Sequence, residues 1–199
     1  MARERQTAGQ GGAQPVGLGP TTPVATATGW RPAGEIAPGD RLLTMDAGAV
    51  PVVDLARLDL TPRDRAVRVP PWALGNRRGV CLAPGQGVVI HEPLAEELYA
   101  DPFAVLPVAA LVGWRGIAAL PHGAVPMVLP RFAAPQVIYA ARELMVACPG
   151  VTPGTGPAPD LGPVAFPPAQ ARHLALCLMA EEVGAALGGR QAAAGKVPL

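Results

Sequence analysis

Few side chains in this 199-residue sequence are of the types that act as nucleophiles or general bases. The three cysteines, Cys81, Cys148 and Cys177, lack the CxxC spacing of redox and zinc motifs. Each lies in an apolar run such as "GVCLA" or "LALCLM", which is typical of buried, reduced thiols. Cys148, in "LMVACPG", has no basic neighbour in the sequence that could activate it. We therefore predict inert, partly buried thiols instead of disulfides, a zinc site or a catalytic nucleophile.

One histidine lies beside several carboxylates and could suggest a metal site. His91 opens the string "HEPLAEE" directly after the apolar "VVI". A helix would bring its imidazole and the carboxylates onto one face, but Pro93 interrupts that helix. The carboxylates concerned are Glu92, Glu96 and Glu97. We predict a solvated loop in this segment.

The other histidines and the glycine-rich strings also give no binding motif. His122, in "LPHGAV", is predicted to lie in a turn, and His173 on the polar side or at the start of a C-terminal helix. Three unpaired histidines predict no metal site. The strings "GQGG" and "GTG" lack the Lys-Ser/Thr of a phosphate-binding loop. We therefore expect no cofactor.

Charge and hydropathy limit the classes of partner. The net charge is +1, and the arginines are scattered along the chain, so neither nucleic acid nor anionic lipid is an expected partner. No apolar run has the length of a membrane span, and the N-terminus lacks the apolar region of a signal peptide. We expect a soluble protein, cytoplasmic or exported by a route without a signal peptide. A protein partner and the oligomeric state stay open.

The elements that must position these residues are short strands. The sequence has 24 glycines, 25 prolines and only eight aromatic residues, a composition that favours strands joined by many turns. Two strands are predicted to flank a short loop that carries Trp30 to Ile36, with a turn at Pro38-Gly39-Asp40. Alternating or short apolar segments predict further strands within 49–60 and 65–74, on both sides of 83–87, and in "PFAVLPVAALVG" and "PQVIYAARELMVA".

Composition shifts divide the chain into five parts. We predict a flexible leader over 1–19, a β domain over 20–150, a Pro/Gly linker over 151–168, an amphipathic helix over 169–188 and a tail over 189–199. The fold class is therefore all-β with one C-terminal α-helix.

The predicted helix begins with Pro168 near its first turn and ends at Gly188-Gly189. Its polar face carries Glu181 and Glu182 with little positive charge, which favours docking on the domain's own core over a membrane surface or a partner. The apolar residues that recur at helical spacing are Leu176, Met179, Ala180, Val183 and Leu187.

Five segments, in this order, resemble the Hint (hedgehog/intein) domain, in particular its bacterial branch. They are "VATATGWRPAGEIAPGDRLLTMDAG" after Thr22, then "RAVRVPPWALGN", "VCLAPGQGVVI", "FAVLPVAALVGW" and "FAAPQVIYAARELMVACPG". The resemblance implies a compact fold of many short strands over about Thr22 to Gly150. It also implies self-processing, in which a Cys, Ser or Thr at the domain's first position attacks the preceding carbonyl in an acyl shift.

The positions that carry this chemistry in the family hold inert residues here. Counting back five residues from Thr22 places Gly17, which has no side chain, at the nucleophile position. Gln86 stands where the family has a histidine, and an amide donates a hydrogen bond but cannot shuttle a proton. The Asp and the His-Glu pair of the late segment correspond to Ala133, Pro135 and Gln136.

We therefore expect a Hint-like domain that has lost self-cleavage, is not an enzyme, and acts as a structural or protein-interaction module. One alternative is residual autoproteolysis near 17–22 through Thr21 or Thr22, although neither threonine has a His, Lys or amine partner in sequence reach. Both are predicted to be turn or strand-entry residues. Another alternative is a small-molecule or peptide site at the former active site around Gln86.

Overall fold

A computed structural model describes residues 14–61, 63–100, 102–121, 124–151 and 166–194. The predicted residues 1–13 of the leader, His122, 152–165 of the linker and 195–199 of the tail lie outside this description. Among the described residues there are thirteen strands and two α-helices, so the predicted all-β fold with a C-terminal helix is confirmed. The strands are β1 (Pro23–Thr26), β2 (Gly29–Pro32), β3 (Arg41–Thr44), β4 (Gly48–Pro51), β5 (Asp54–Asp59), β6 (Val67–Val69), β7 (Val80–Leu82), β8 (Gly87–His91), β9 (Phe103–Pro107), β10 (Ala118–Ala119), β11 (Pro126–Arg131), β12 (Gln136–Ala140) and β13 (Leu144–Cys148), and the helices are α1 (Pro93–Tyr99) and α2 (Pro168–Ala194).

The larger sheet contains eight strands in the order β2-β1-β3-β12-β13-β8-β9, with β4 also paired to β3. Its central hairpin, β12–β13, pairs Gln136 with Cys148 and Ala140 with Leu144. The apolar runs of these strands fill the core, because Ile138, Leu144 and Val146 are fully buried. This sheet holds β8, the strand that follows Gln86, against β13.

A second group of strands incorporates the N-terminal segment 14–19. Leu18 forms isolated bridges with Leu82 and with Val128, so the segment lies between β7 and β11. Its backbone exchanges two hydrogen bonds of 2.8 Å with Val128. Val16, Gly17, Leu18 and Gly19 are all buried, so the segment is enclosed on both faces. The prediction of a flexible leader over 1–19 therefore does not hold for 14–19. The glycine-rich composition suggests a flexible segment, but "PVGLG" alternates apolar residues with glycines, as a strand can.

The segment predicted as a loop from Trp30 to Ile36 begins as a strand. Residues up to Pro32 belong to β2, which pairs with β1 through a tight turn. Gly29 adopts φ +125° in that turn, a conformation that favours glycine. A side chain stabilises the following Pro-Gly-Asp turn. The Asp40 carboxylate accepts hydrogen bonds from Ala37 N at 2.9 Å and from Arg31 Nη1 at 3.1 Å.

Helix α1 contradicts the loop predicted for "HEPLAEE". Pro93 occupies the first turn of the helix, where the missing N–H is not needed, so it starts the helix and does not interrupt it. His91 remains on β8, and its ring lies 4.9 Å from the ring of Phe103. Among the described residues, no group of three or more His, Cys, Asp or Glu side chains could hold a metal ion.

Helix α2 docks on the β domain through a face that differs from the predicted one. Leu176 and Val183, predicted to face the core, are 58% and 59% exposed. The helix continues through Gly188-Gly189 to Ala194, because the following Arg, Gln and Ala residues favour helix. Apolar residues occur on several sides of this helix, so their spacing did not define one face. The buried face consists of Ala171, Leu174, Ala175 and Leu178.

Within the described chain, neither helix combines the length and the apolar character that crossing a membrane requires.

Candidate functional site

Gly17, which the family resemblance predicts to stand at the nucleophile position, is buried between β7 and β11. Its carbonyl accepts a hydrogen bond of 2.9 Å from Ala83 N. A Cβ atom placed on Gly17 would lie 2.9 Å from Met127 Cβ and 3.4 Å from Val128 O. Real Cβ atoms essentially never approach side chains that closely. The position therefore lacks both a nucleophile and the space for one.

The chain on both sides of Gly17 is held by a backbone ladder against residues 81–85. Gly85 N donates to Pro15 O at 2.9 Å, and Gly19 N donates to Cys81 O at 2.8 Å. The approach is close, because a Cβ atom on Gly85 would lie 2.6 Å from Gln14 O. Only glycine permits this contact between two backbones. The backbone around Gly17 is thus part of an ordered strand-like pairing.

Gln86 follows that ladder and acts as a buried cross-link. Its side chain is fully buried, and Nε2 donates to Ala147 O at 2.7 Å and to Gly87 O at 3.0 Å. Its backbone carbonyl accepts from Val108 N at 2.9 Å. Oε1 has no hydrogen-bond partner among the described residues. The amide therefore joins the start of β8 to β13, and it offers no group that can take a proton.

The two threonines lie in the turn that precedes β1. Thr22 N donates to Gly19 O at 2.9 Å, which closes the turn. The Thr22 side chain is 2% exposed, and no described group forms a hydrogen bond with its Oγ1. Thr21 is exposed. A threonine nucleophile requires a base within hydrogen-bond reach, and none of the described side chains meets that condition at Thr22.

The segment from Ala133 to Gln136 is less buried than Gly17 and Gln86. Ala133 and Pro135 are exposed, and Gln136 is half-buried opposite Cys148 in the β12–β13 pairing. The structure therefore brings Gly17 and the loop before Gln86 together, whereas it places Ala133 and Pro135 at the surface. Neither position presents a titratable group to the buried ladder.

The cysteines differ in environment, and one has a partner that the sequence reading missed. Burial raises the pKa of Cys148 to about 12 and also raises the pKa of the half-buried Cys81. Cys177 Sγ lies 3.6 Å from His173 Nε2, and His173 Nδ1 lies 2.8 Å from the Tyr99 hydroxyl. The i, i+4 spacing of His173 and Cys177 could have indicated this contact once the helix was predicted.

The rates of alkylation should distinguish these thiols. The thiolate is the reacting species, and a pKa near 12 lowers its fraction about a thousandfold relative to the ordinary value of 9.0. At mildly alkaline pH we expect iodoacetamide to label Cys177 first and to leave Cys148 unmodified, as judged by peptide mass spectrometry. Concentrated guanidinium should make all three reactive. Labelling of Cys148 in the folded chain as fast as Cys177 would contradict its burial.

Comparison with known proteins gives one family and several structures. A family model described as the Hint domain matches residues 16–145. A comparison with curated proteins finds no match. The chain is similar to the MchDnaB-1 intein, with 17% identity and a TM-score of 0.47 over 66% of this chain and 98% of that one. It is also similar to the Msm DnaB1 intein splicing domain bound with zinc, with 20% identity and a TM-score of 0.47 over 66% of this chain and 98% of that one. The gp41-1 intein shows 10% identity and a TM-score of 0.41 over 66% of this chain and 98% of that one.

Proposed function

We propose that this chain, which belongs to the Hint domain family, does not process itself and serves as a structural or protein-interaction module. The observation that carries the proposal is the packing at Gly17. An acyl shift needs an attacking side chain on the residue that directly follows the scissile carbonyl. Gly17 supplies none, and Met127 occupies the space where its Cβ would lie.

The remaining machinery supports the same proposal. Self-cleavage also needs a group that transfers protons and groups that polarise the amide. The Gln86 amide is engaged with the Ala147 and Gly87 carbonyls. Thr22 is the nearest buried hydroxyl in the sequence, and its Oγ1 has no described hydrogen-bond partner that could act as a base. What persists in the chain are the groups that build the scaffold.

An interaction role is supported by the outer face of α2. Leu176 and Val183 are seven residues apart, so they lie on one side of the helix, and both are more than half exposed. Large apolar side chains that share one exposed face are a feature of surfaces that contact proteins. This exposed face is distinct from the buried face that docks α2 on the domain.

The test is the intact mass of the purified chain during a day at neutral pH, with and without added thiol or hydroxylamine, which cleave a thioester or ester intermediate. We expect a single unchanged mass in all samples, because no nucleophile is available. A matched variant with Thr21→Ala and Thr22→Ala should behave identically.

A fragment with its boundary between Gly17 and Thr22 would refute the proposal. If that fragment disappears in the double threonine variant, the alternative of residual autoproteolysis through a threonine replaces it. If it persists in the variant, then cleavage depends on another group, and the assignment of the family positions is wrong.

A further inference from the structure

A cleft rich in arginine lies away from the buried ladder at Gly17. It has a volume of about 500 Å³ and is formed by the β1–β2 hairpin, the loop between β6 and β7, and the β12–β13 turn. Trp30 and Thr21 contribute to its wall. Four arginines line it, Arg31, Arg77, Arg78 and Arg142. We refer to it as the arginine cleft.

Most of the charge in the arginine cleft is not neutralised. Arg31 pairs with Asp40 at 3.1 Å. Arg77, Arg78 and Arg142 form no salt bridge with any carboxylate in the described part of the chain. The Arg77 guanidinium lies 5.8 Å from the centre of the Trp72 ring, which is an attraction to an aromatic face and not to an anion. Like charges gathered in one concave surface attract anions to it.

Backbone hydrogen bonds hold the three walls of the cleft in place. Ala141 N donates to Pro23 O at 2.8 Å, and Arg77 N donates to Ala141 O at 3.0 Å. The fully buried Asn76 fixes the loop between β6 and β7. Its Nδ2 donates at 2.8 Å to the carbonyls of Pro70 and Arg78. The arginines therefore extend from a framework that is already ordered.

Three residues of this framework have backbone conformations that residues other than glycine rarely adopt. Arg142 has φ +93°, Trp72 has φ +71° and Ala141 has φ +46°. Such conformations carry a free-energy cost and persist where the surrounding structure enforces them, often at binding sites. At Arg142 the hydrogen bonds of the neighbouring Ala141 provide that enforcement. The strain coincides with the unpaired guanidinium groups.

We propose that the arginine cleft binds a small ligand that carries at least two oxyanion groups, either phosphates or carboxylates. The volume is in the range of small-molecule sites, roughly 300–1,000 Å³. The planar guanidinium group binds both types of oxyanion through paired hydrogen bonds. A small ligand is favoured over a polyanionic chain, because the net charge of the protein is only +1 and the cleft gathers only three arginines without a carboxylate partner, Arg77, Arg78 and Arg142. The proposal is independent of self-processing.

The test is calorimetric titration of the full chain at low ionic strength with inorganic pyrophosphate and, separately, citrate. We expect saturable binding of at least one probe, and the preferred probe identifies the oxyanion. Arg142→Gly should weaken binding about tenfold, since one charged hydrogen-bonding group contributes about that factor. Glycine is chosen because it adopts a φ of +93° without strain.

Two further variants make the result specific to the cleft. Arg77→Gln together with Arg78→Gln should weaken binding by more than Arg142→Gly. Arg68→Gln, on β6 and outside the cleft lining, should leave it unchanged. Circular dichroism verifies that each variant is folded, and a variant that unfolds is replaced by Arg78→Gln alone. Absence of saturable binding to the unaltered chain, or binding that the cleft substitutions leave intact, would overturn the proposal.

Discussion

Replacing Leu42 with alanine should lower the free energy of unfolding by about 3 kcal/mol, the typical cost of truncating a fully buried leucine. Leu42 is 0% exposed in the middle of β3, where it pairs with Thr26 on β1 and Val50 on β4. The loss combines the transfer of apolar surface with the cavity left in a closely packed core. Urea denaturation followed by circular dichroism measures it.

The adjacent Leu43 provides the matched control. It is 38% exposed, because successive residues of a strand point to opposite faces of the sheet. Leu43→Ala should therefore cost less than about 1 kcal/mol. Equal losses for the two substitutions would mean that β3 does not have the assigned register. A larger loss at Leu43 would mean that its two faces are exchanged.

Gly85→Ala should destabilise the fold by about 2 kcal/mol or more and should loosen the segment 14–19. The new methyl group would lie 2.6 Å from Gln14 O, and a backbone oxygen cannot move aside as the end of a flexible side chain can. The substitution should therefore break the hydrogen bond from Gly85 N to Pro15 O. Denaturant unfolding gives the overall loss of stability. Hydrogen exchange of the amides of 17–19 reports the local opening.

Gly79→Ala is the control for this substitution. A Cβ atom there would meet Val69 O at 3.6 Å, which is an ordinary van der Waals contact, so we expect little change in stability or in hydrogen exchange. If Gly85→Ala were as mild as Gly79→Ala, the close pairing of 14–19 with 81–85 would be refuted. Gly17 would then not lie in an ordered, inaccessible backbone.

Gly85→Ala also bears on the proposed loss of self-processing. Loosening the segment 14–19 removes the packing that surrounds Gly17, but it introduces no nucleophile. We therefore expect the variant to stay uncleaved, and its stability loss to be separable from any chemistry. Under the proposed function, the packing and the missing side chain are two distinct barriers to self-processing, of which the missing side chain is sufficient.

Local sequence signals identified the elements whose formation depends on nearby residues. Glycine and the Pro-Gly-Asp turn marked the β1–β3 region, because φ of +125° at Gly29 and the carboxylate bonds of Asp40 act over a few residues. The apolar segments on both sides of 83–87 and those near 135–147 also form strands, because their signal lies in residues close together in the sequence. The resemblance to the Hint family added the order of these segments and the absence of a nucleophile at Gly17.

Predictions that depended on distant contacts were less successful. Composition places the segment 14–19 in a leader, because the residues that pair with it lie more than sixty residues away in the sequence. The exposed Leu176 and the buried Leu174 are two residues apart on α2, and only the docking of the helix decides which of them faces the core. Proline within a helical pattern predicts a break at Pro93, whereas its place in the first turn starts α1.

By itself, the sequence determined the fold class and the family, because residue types and short-range spacing carry that information. Only the tertiary structure decided that Met127 fills the space beside Gly17 and that Gln86 is a buried cross-link. The arginine cleft is the clearest case, since Arg31, Arg77 and Arg142 are separated by dozens of residues. Their positions in the sequence indicate no site, because they are scattered along the chain. Hydrogen bonds between three distant turns bring them together in one cleft.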